Sequence, residues 1–109
     1  MAVTRGDLIV IALQGDFGKP RPALVIQSDL FSEHPTVTVL PVTSDIRDAP
    51  LIRLTVQPTP ENGLQAPSQI MVDKAHTVAR EKTGQKIGRL DSALMVTVNR
   101  ALALFLGFA

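Results

Sequence analysis

Arg21 stands between two prolines, Pro20 and Pro22, at the head of an aliphatic run, Ala23-Leu24-Val25-Ile26. Few stretches leave a chain so little choice. A proline disfavours helical geometry at the residue before it, so Pro22 pushes Arg21 towards extended backbone. Pro20 has its own φ held at about −65°. The backbone around Arg21 is stiff before any tertiary contact acts, and residues 23–26 are expected to form a strand with Arg21 at its mouth. A fixed cation at a strand edge suits recognition of a phosphate or carboxylate. The same placement also suits a solvated charge that marks a strand start. With eight prolines and seven glycines in 109 residues, turns are frequent, which favours a β-rich fold.

The length fits one small domain, residues 1–109, and 45% apolar residues suffice for a core rather than a disordered chain. The formal charge of +1 does not by itself announce nucleic acid. Without cysteine there is no disulfide framework and no thiolate metal site. His34 and His76 are too few and too isolated for a metal cluster, so no metal and no cofactor are expected. The first residues lack the shape of a signal peptide, and no apolar run approaches the roughly 18 residues of a membrane span. We expect a cytosolic protein with no membrane partner.

Residues 7–13 are nearly continuous apolar, as in a strand buried on both faces. Residues 15–18 read as a loop with two glycine hinges, by sequence. Residues 29–35 read as a connection. Residues 36–40 alternate like a strand with one face inward, and Pro41 then implies a sheet edge or a bulge. From 51 to 57, Ile52, Leu54 and Val56 alternate with Arg53, Thr55 and Gln57. Asn62-Gly63 is the strongest hairpin signal in the chain. Residues 69–74 read as another strand, running on towards Val78, and 86–90 as a short one. The period then changes. Asp91 is a good N-cap, with Leu90 and Met95 placed to staple across it. Leu94, Val98, Ala101, Leu102 and Phe105 share one helical face, and Gly107 ends the helix. Val96 and Leu104 lie outside that stripe, where a partner chain is one way to cover them.

Taken together, the 18–27 stretch, Leu40-Pro41-Val42-Thr43-Ser44-Asp45-Ile46 and the Asn62-Gly63-Leu64 to Pro67-Ser68-Gln69-Ile70-Met71-Val72-Asp73 segment resemble the MazF/PemK family of bacterial type II toxins. Arg5-Gly6-Asp7-Leu8-Ile9-Val10 is similar to that family's first strand, so the resemblance spans about residues 5–107. It implies a small SH3-like β-barrel with a terminal helix, working as a homodimer. It implies a metal-independent, sequence-selective endoribonuclease that cuts single-stranded RNA. It further implies a cognate antitoxin whose flexible acidic segment occupies the RNA groove. By the same resemblance Arg21 and Thr43 are catalytic, with Ser44 and Ile46 also matching. One branch of the family uses an Arg-x-Asp pair on a later strand. Here Asp73 is kept, Met71 stands where that arginine would be, and the first-loop histidine of that branch is missing.

The residues allow the chemistry that the resemblance implies. RNA carries its own nucleophile, the 2′-hydroxyl. Arg21 can place planar donors on the phosphate oxygens, and Thr43 can donate a hydroxyl to the same group. Asp73 is the carboxylate that the resemblance offers as a base. An exposed strand carboxylate paired with Lys74 or Lys86 is the plainer account of it. Lys19, Arg53, Lys82, Lys86 and Arg89 are candidates to line an RNA groove, with Ser44 beside them and Phe17 as the stacking residue. The second reading is a non-catalytic binding module on the same barrel, of the topoisomerase-poisoning kind, acting through the apolar 104–109 tail.

Overall fold

The computed structural model describes residues 3–12 and 19–108. Its order is β1 (Asp7–Ala12), β2 (Pro20–Val25), β3 (Thr36–Thr43), β4 (Arg53–Val56), β5 (Ser68–Met71), β6 (His76–Ala79), β7 (Lys86–Arg89) and α1 (Ser92–Leu106). Short 3-10 turns lie at Asp29–Phe31 and Arg80–Lys82. All pairings are antiparallel, in the order β4-β5-β3-β2-β1-β7, with β6 also on β3. The sheet curls into a half-barrel closed on one side by the helix.

β3 is the hinge of this topology. Thr36 to Val39 pair with β6, whereas Val42 and Thr43 pair with β5. Pro41 falls in the gap between the two partners and is opposite Ala23 of β2. The Ile26 amide donates to the Thr38 carbonyl at 3.1 Å. Alternation then turns the amides of even residues of β3 towards β2, so the missing N–H of Pro41 faces the gap. The strand therefore continues to Thr43 with neither the edge nor the bulge expected from sequence. Pro22 has the opposite effect. Its nitrogen faces β3, and the β2–β3 ladder stops at Ala23. On the β1 side Arg21 still pairs with Ile11, and Pro20 with Ala12. The strand accordingly starts at Pro20, three residues before the expected start, and Arg21 lies within it.

Leu8 and Ile9 are both buried, so β1 is covered on both faces as its apolar run implied. On one face Leu8, Leu24, Leu40, Val42, Ile70 and Val98 form the main core, joined by Leu94, Met95, Ala101 and Leu102 of the helix. On the other, Ile9, Ile11, Ala23, Val25, Val37 and Val39 fill the half-barrel. Asp91 caps the helix through its carboxylate, which accepts from the Leu94 amide at 2.8 Å, and Gly107 ends it at φ 84°. Phe105, expected on the buried stripe, is half exposed, as are Val96 and Leu104 outside it.

Asn62-Gly63 is not a two-residue hairpin. It lies in the long connection from β4 to β5 and docks that connection onto β7. Asn62 is buried; its Oδ1 accepts from Thr59 and Leu64 amides, and its Nδ2 donates to the Gln57 carbonyl. Gly63 adopts φ 70° and lies so near the Ile87 carbonyl that a Cβ would be 2.0 Å from its oxygen. Below β7, Asp7 is buried and gathers Arg89 at 2.7 Å, Lys86 at 3.2 Å and the Thr4 amide at 2.8 Å.

Candidate functional site

The loss of the β2–β3 ladder past Ala23 opens a cleft of about 430 Å³ where the two strands part. Pro20, Arg21 and Pro22 form one wall, Val42 and Ser44 another, and residues 63–66 with Ser68 and Ile87 complete it. Arg21 is half-buried there. Thr43 follows Val42 on β3, and its Oγ1 accepts from the Asp45 amide at 3.1 Å. That bond uses the oxygen as an acceptor and leaves the hydroxyl hydrogen to donate elsewhere. Arg21 and the exposed Ser44 thus meet at one hollow, and Thr43, between Val42 and Ser44, lies outside its lining; a guanidinium and a hydroxyl there suit an anion.

A second cleft of about 370 Å³ is lined by residues 46–50 with Arg53, Thr55 and Gln69. Arg53 donates from Nη1 to the Asp45 carbonyl at 3.2 Å, so this predicted RNA ligand also ties down the loop after Thr43. Arg47 forms an ion pair with Asp45 at 3.0 Å on the surface of that loop. Arg47 and Gln69 carry no assignment from the sequence reading. Arg47 follows the recognised Ile46, a signal that was available. Gln69, by contrast, reads as an ordinary polar strand residue.

The other predicted residues are scattered. Asp73 is not on a strand: β5 ends at Met71, and Asp73 lies in the turn towards β6, outside the cleft of Arg21. It pairs with Lys74 at 3.4 Å through Oδ2, and its Oδ1 is buried without a hydrogen-bond partner. The strand expected to run from 69 towards Val78 breaks there, and His76 begins β6 opposite Val39. Lys86 is engaged by Asp7 and does not line the cleft of Arg21. Arg89 is likewise held by Asp7, Thr4 and the Arg5 carbonyl. Lys82 is exposed on a 3-10 turn, and Lys19 is exposed next to Pro20. Phe17 lies outside the described residues.

Burial would raise the Asp7 carboxyl, but the Thr4 amide, Lys86 and Arg89 outweigh it and hold the group below its ordinary value of 3.8. This cluster is a structural clamp on β1 and β7. Among the described residues there is no grouping of three or more His, Cys, Asp or Glu able to hold a metal ion, and no helix is long and apolar enough to cross a membrane.

Comparison with known proteins follows the same outline. Residues 4–106 match the model of the PemK-like, MazF-like toxins of type II toxin–antitoxin systems. A probable endoribonuclease MazF of Mycolicibacterium smegmatis is 46% identical over 96% of this chain and 97% of its own length. Endoribonuclease EndoA of Bacillus subtilis is 31% identical over 97% of this chain and 96% of its own. Among solved structures, a mycobacterial endoribonuclease in complex with its cognate antitoxin superposes with a TM-score of 0.81 at 24% identity, covering 99% of this chain and 98% of that one.

Proposed function

The chain belongs to the PemK-like, MazF-like toxins of type II toxin–antitoxin systems, and from that premise we propose that it cuts single-stranded RNA in the cleft between β2 and β3, with Arg21 and Thr43 at the scissile phosphate. It is an endoribonuclease of the kind its curated relatives are named for. The observation that carries the site is the convergence of Arg21 and Ser44 on one hollow, with Thr43 next to Ser44 on the strand beside Arg21.

The 2′-oxygen attacks the neighbouring phosphorus and the bond to the 5′-oxygen breaks. The 2′-hydroxyl proton leaves to a base, and the departing 5′-oxygen gains one. The products are a 2′,3′-cyclic phosphate and a 5′-hydroxyl. Arg21 holds the negative charge that grows on the phosphoryl oxygens, supplying the positive charge a metal would otherwise bring. Thr43 donates its free hydroxyl hydrogen to the same phosphate. Ser44 lies on the cleft wall as an RNA contact, with Lys19 and Arg53 as flanking cations. Asp73 has no part in this scheme: it lies in the turn after β5 and its Oδ2 pairs with Lys74. In-line attack needs a backbone free to leave A-form geometry, which favours unpaired RNA, and exposed base edges allow selection of sequence.

A cognate antitoxin with a flexible acidic segment fits the same cleft, since its carboxylates would take the place of phosphate at Arg21. The half-exposed Val96 and Leu104 on α1 support a homodimer. An RNA-cutting toxin of this kind acts in the cytoplasm. Relatives named as endoribonucleases weigh against the purely protein-binding alternative. The test is incubation with mixed-sequence RNA in excess chelator, with the new ends analysed chemically. Cleavage should continue and leave 2′,3′-cyclic phosphates. Cleavage that stopped and returned with magnesium would overturn the metal-free scheme.

A further inference from the structure

We propose that Gln69 is a positioning residue for this reaction, setting where Thr43 and Ser44 stand by gripping the backbone of Arg47. The proposal rests on the reading that the chemistry occurs at Arg21 and Thr43. Gln69 is 3% exposed, an unusual degree of burial for a glutamine on a short strand. Such a side chain is tolerated only when its carboxamide is satisfied. Here Oε1 accepts from the Arg47 amide at 3.0 Å, while Nε2 donates to the Arg47 carbonyl at 2.9 Å and to Thr55 Oγ1 at 3.1 Å. One carboxamide therefore takes both backbone groups of a single loop residue, as a neighbouring strand would.

The starting point of the clamp matters. On β3, Thr43 is the register partner of Gln69. The grip begins on the strand beside Thr43 and ends on Arg47, and the short loop between them is tied twice more. The Asp45 amide donates to Thr43 Oγ1 at 3.1 Å, and Arg53 Nη1 donates to the Asp45 carbonyl at 3.2 Å. With the loop held, the Thr43 oxygen keeps its bond from the Asp45 amide, and its hydrogen stays directed away from that amide. Gln69 is buried beneath this loop, so it acts on the reaction through Thr43 and not by touching RNA.

Misplacement of a reacting group by about 1 Å costs on the order of a hundredfold in rate. Gln69→Leu keeps the length and removes every polar contact. Gln69→Glu keeps the shape and the acceptor but loses both Nε2 donors. In single-turnover and steady-state cleavage of one labelled RNA, kcat should fall about tenfold to a hundredfold for Gln69→Leu and less for Gln69→Glu, by the same positioning argument. KM should stay within about threefold for both, because the phosphate contacts of Arg21 are untouched. Amide exchange at Arg47 should quicken in Gln69→Leu. Thermal unfolding reports folding, and if Gln69→Leu fails to fold, Gln69→Glu decides alone. Parental kcat in the folded variants, or a loss confined to KM, would overturn the proposal. Arg21→Ala serves as the separate control. If it loses cleavage while the Gln69 variants do not, the clamp fails and the site stands. If Arg21→Ala cleaves at the parental rate, the site itself fails.

Discussion

Replacing Arg21 by alanine separates what this residue does for the fold from what it does for RNA. Its backbone is set by Pro20, Pro22 and pairing with Ile11, none of which needs the side chain. The half-buried stem covers some apolar surface, so folding should lose a modest amount, which thermal unfolding measures. Cleavage should lose far more. In the proposed reaction a guanidinium on a pre-set strand meets the phosphate before charge develops there, and removing one such donor typically costs about 3–4 kcal/mol. That is a loss of about a hundredfold to a thousandfold in the chemical step. Arg21→Lys should recover only part, since an ammonium keeps the charge and loses the fork. Thr43→Ala should cost about 1–2 kcal/mol, the range for a neutral hydroxyl. The assay is single-turnover cleavage of a labelled RNA at saturating protein, with thermal unfolding alongside. A folded Arg21→Ala protein that cleaves at the parental rate would refute the site and favour a binding module.

Acid stability should depend on Asp7. Its carboxyl is held below 3.8 in the folded protein, so its contribution is complete above that value and is lost as the pH falls through the lower folded value. Urea unfolding from pH 7 downward should show an acid-side fall that Asp7→Asn flattens; parallel curves for the two proteins would contradict the clamp. The protein should also run as a homodimer, and Leu104→Glu, on the exposed side of α1, should shift it towards one chain mass. Light scattering at micromolar concentration checks both, and a monomeric parent would remove the dimer from the proposed function.

The parts that were legible in the sequence are those governed by local rules. Apolar runs gave β1, alternation gave β3 and β4, and Asp91 with Gly107 bounded the helix because caps are chosen by neighbouring residues. Several departures come from contacts made far along the chain. Pro41 reads as a strand breaker, yet its missing donor falls where β3 exchanges β6 for β5, which no local pattern announces. Asn62-Gly63 has the composition of a tight hairpin, but Gly63 is glycine because the Ile87 carbonyl lies against it. Of the cations expected in the groove, Lys86 and Arg89 answer to Asp7, a carboxylate about eighty residues earlier in the chain. Gln69 shows the limit most clearly. Nothing in Ser68-Gln69-Ile70 marks its carboxamide as the grip on Arg47, because that role exists only once β5 lies beside β3.

The main core brings Leu8 of the first strand against Val98 of the last helix. A chain growing from its N-terminus cannot close that core until α1 has emerged from the ribosome. The cleft waits on β7, immediately before α1, since its wall at residues 63–66 is docked there. An RNA-cutting enzyme is thus assembled only after its own chain has been made through α1. The order of packing withholds cutting activity until β7 and α1 have both emerged.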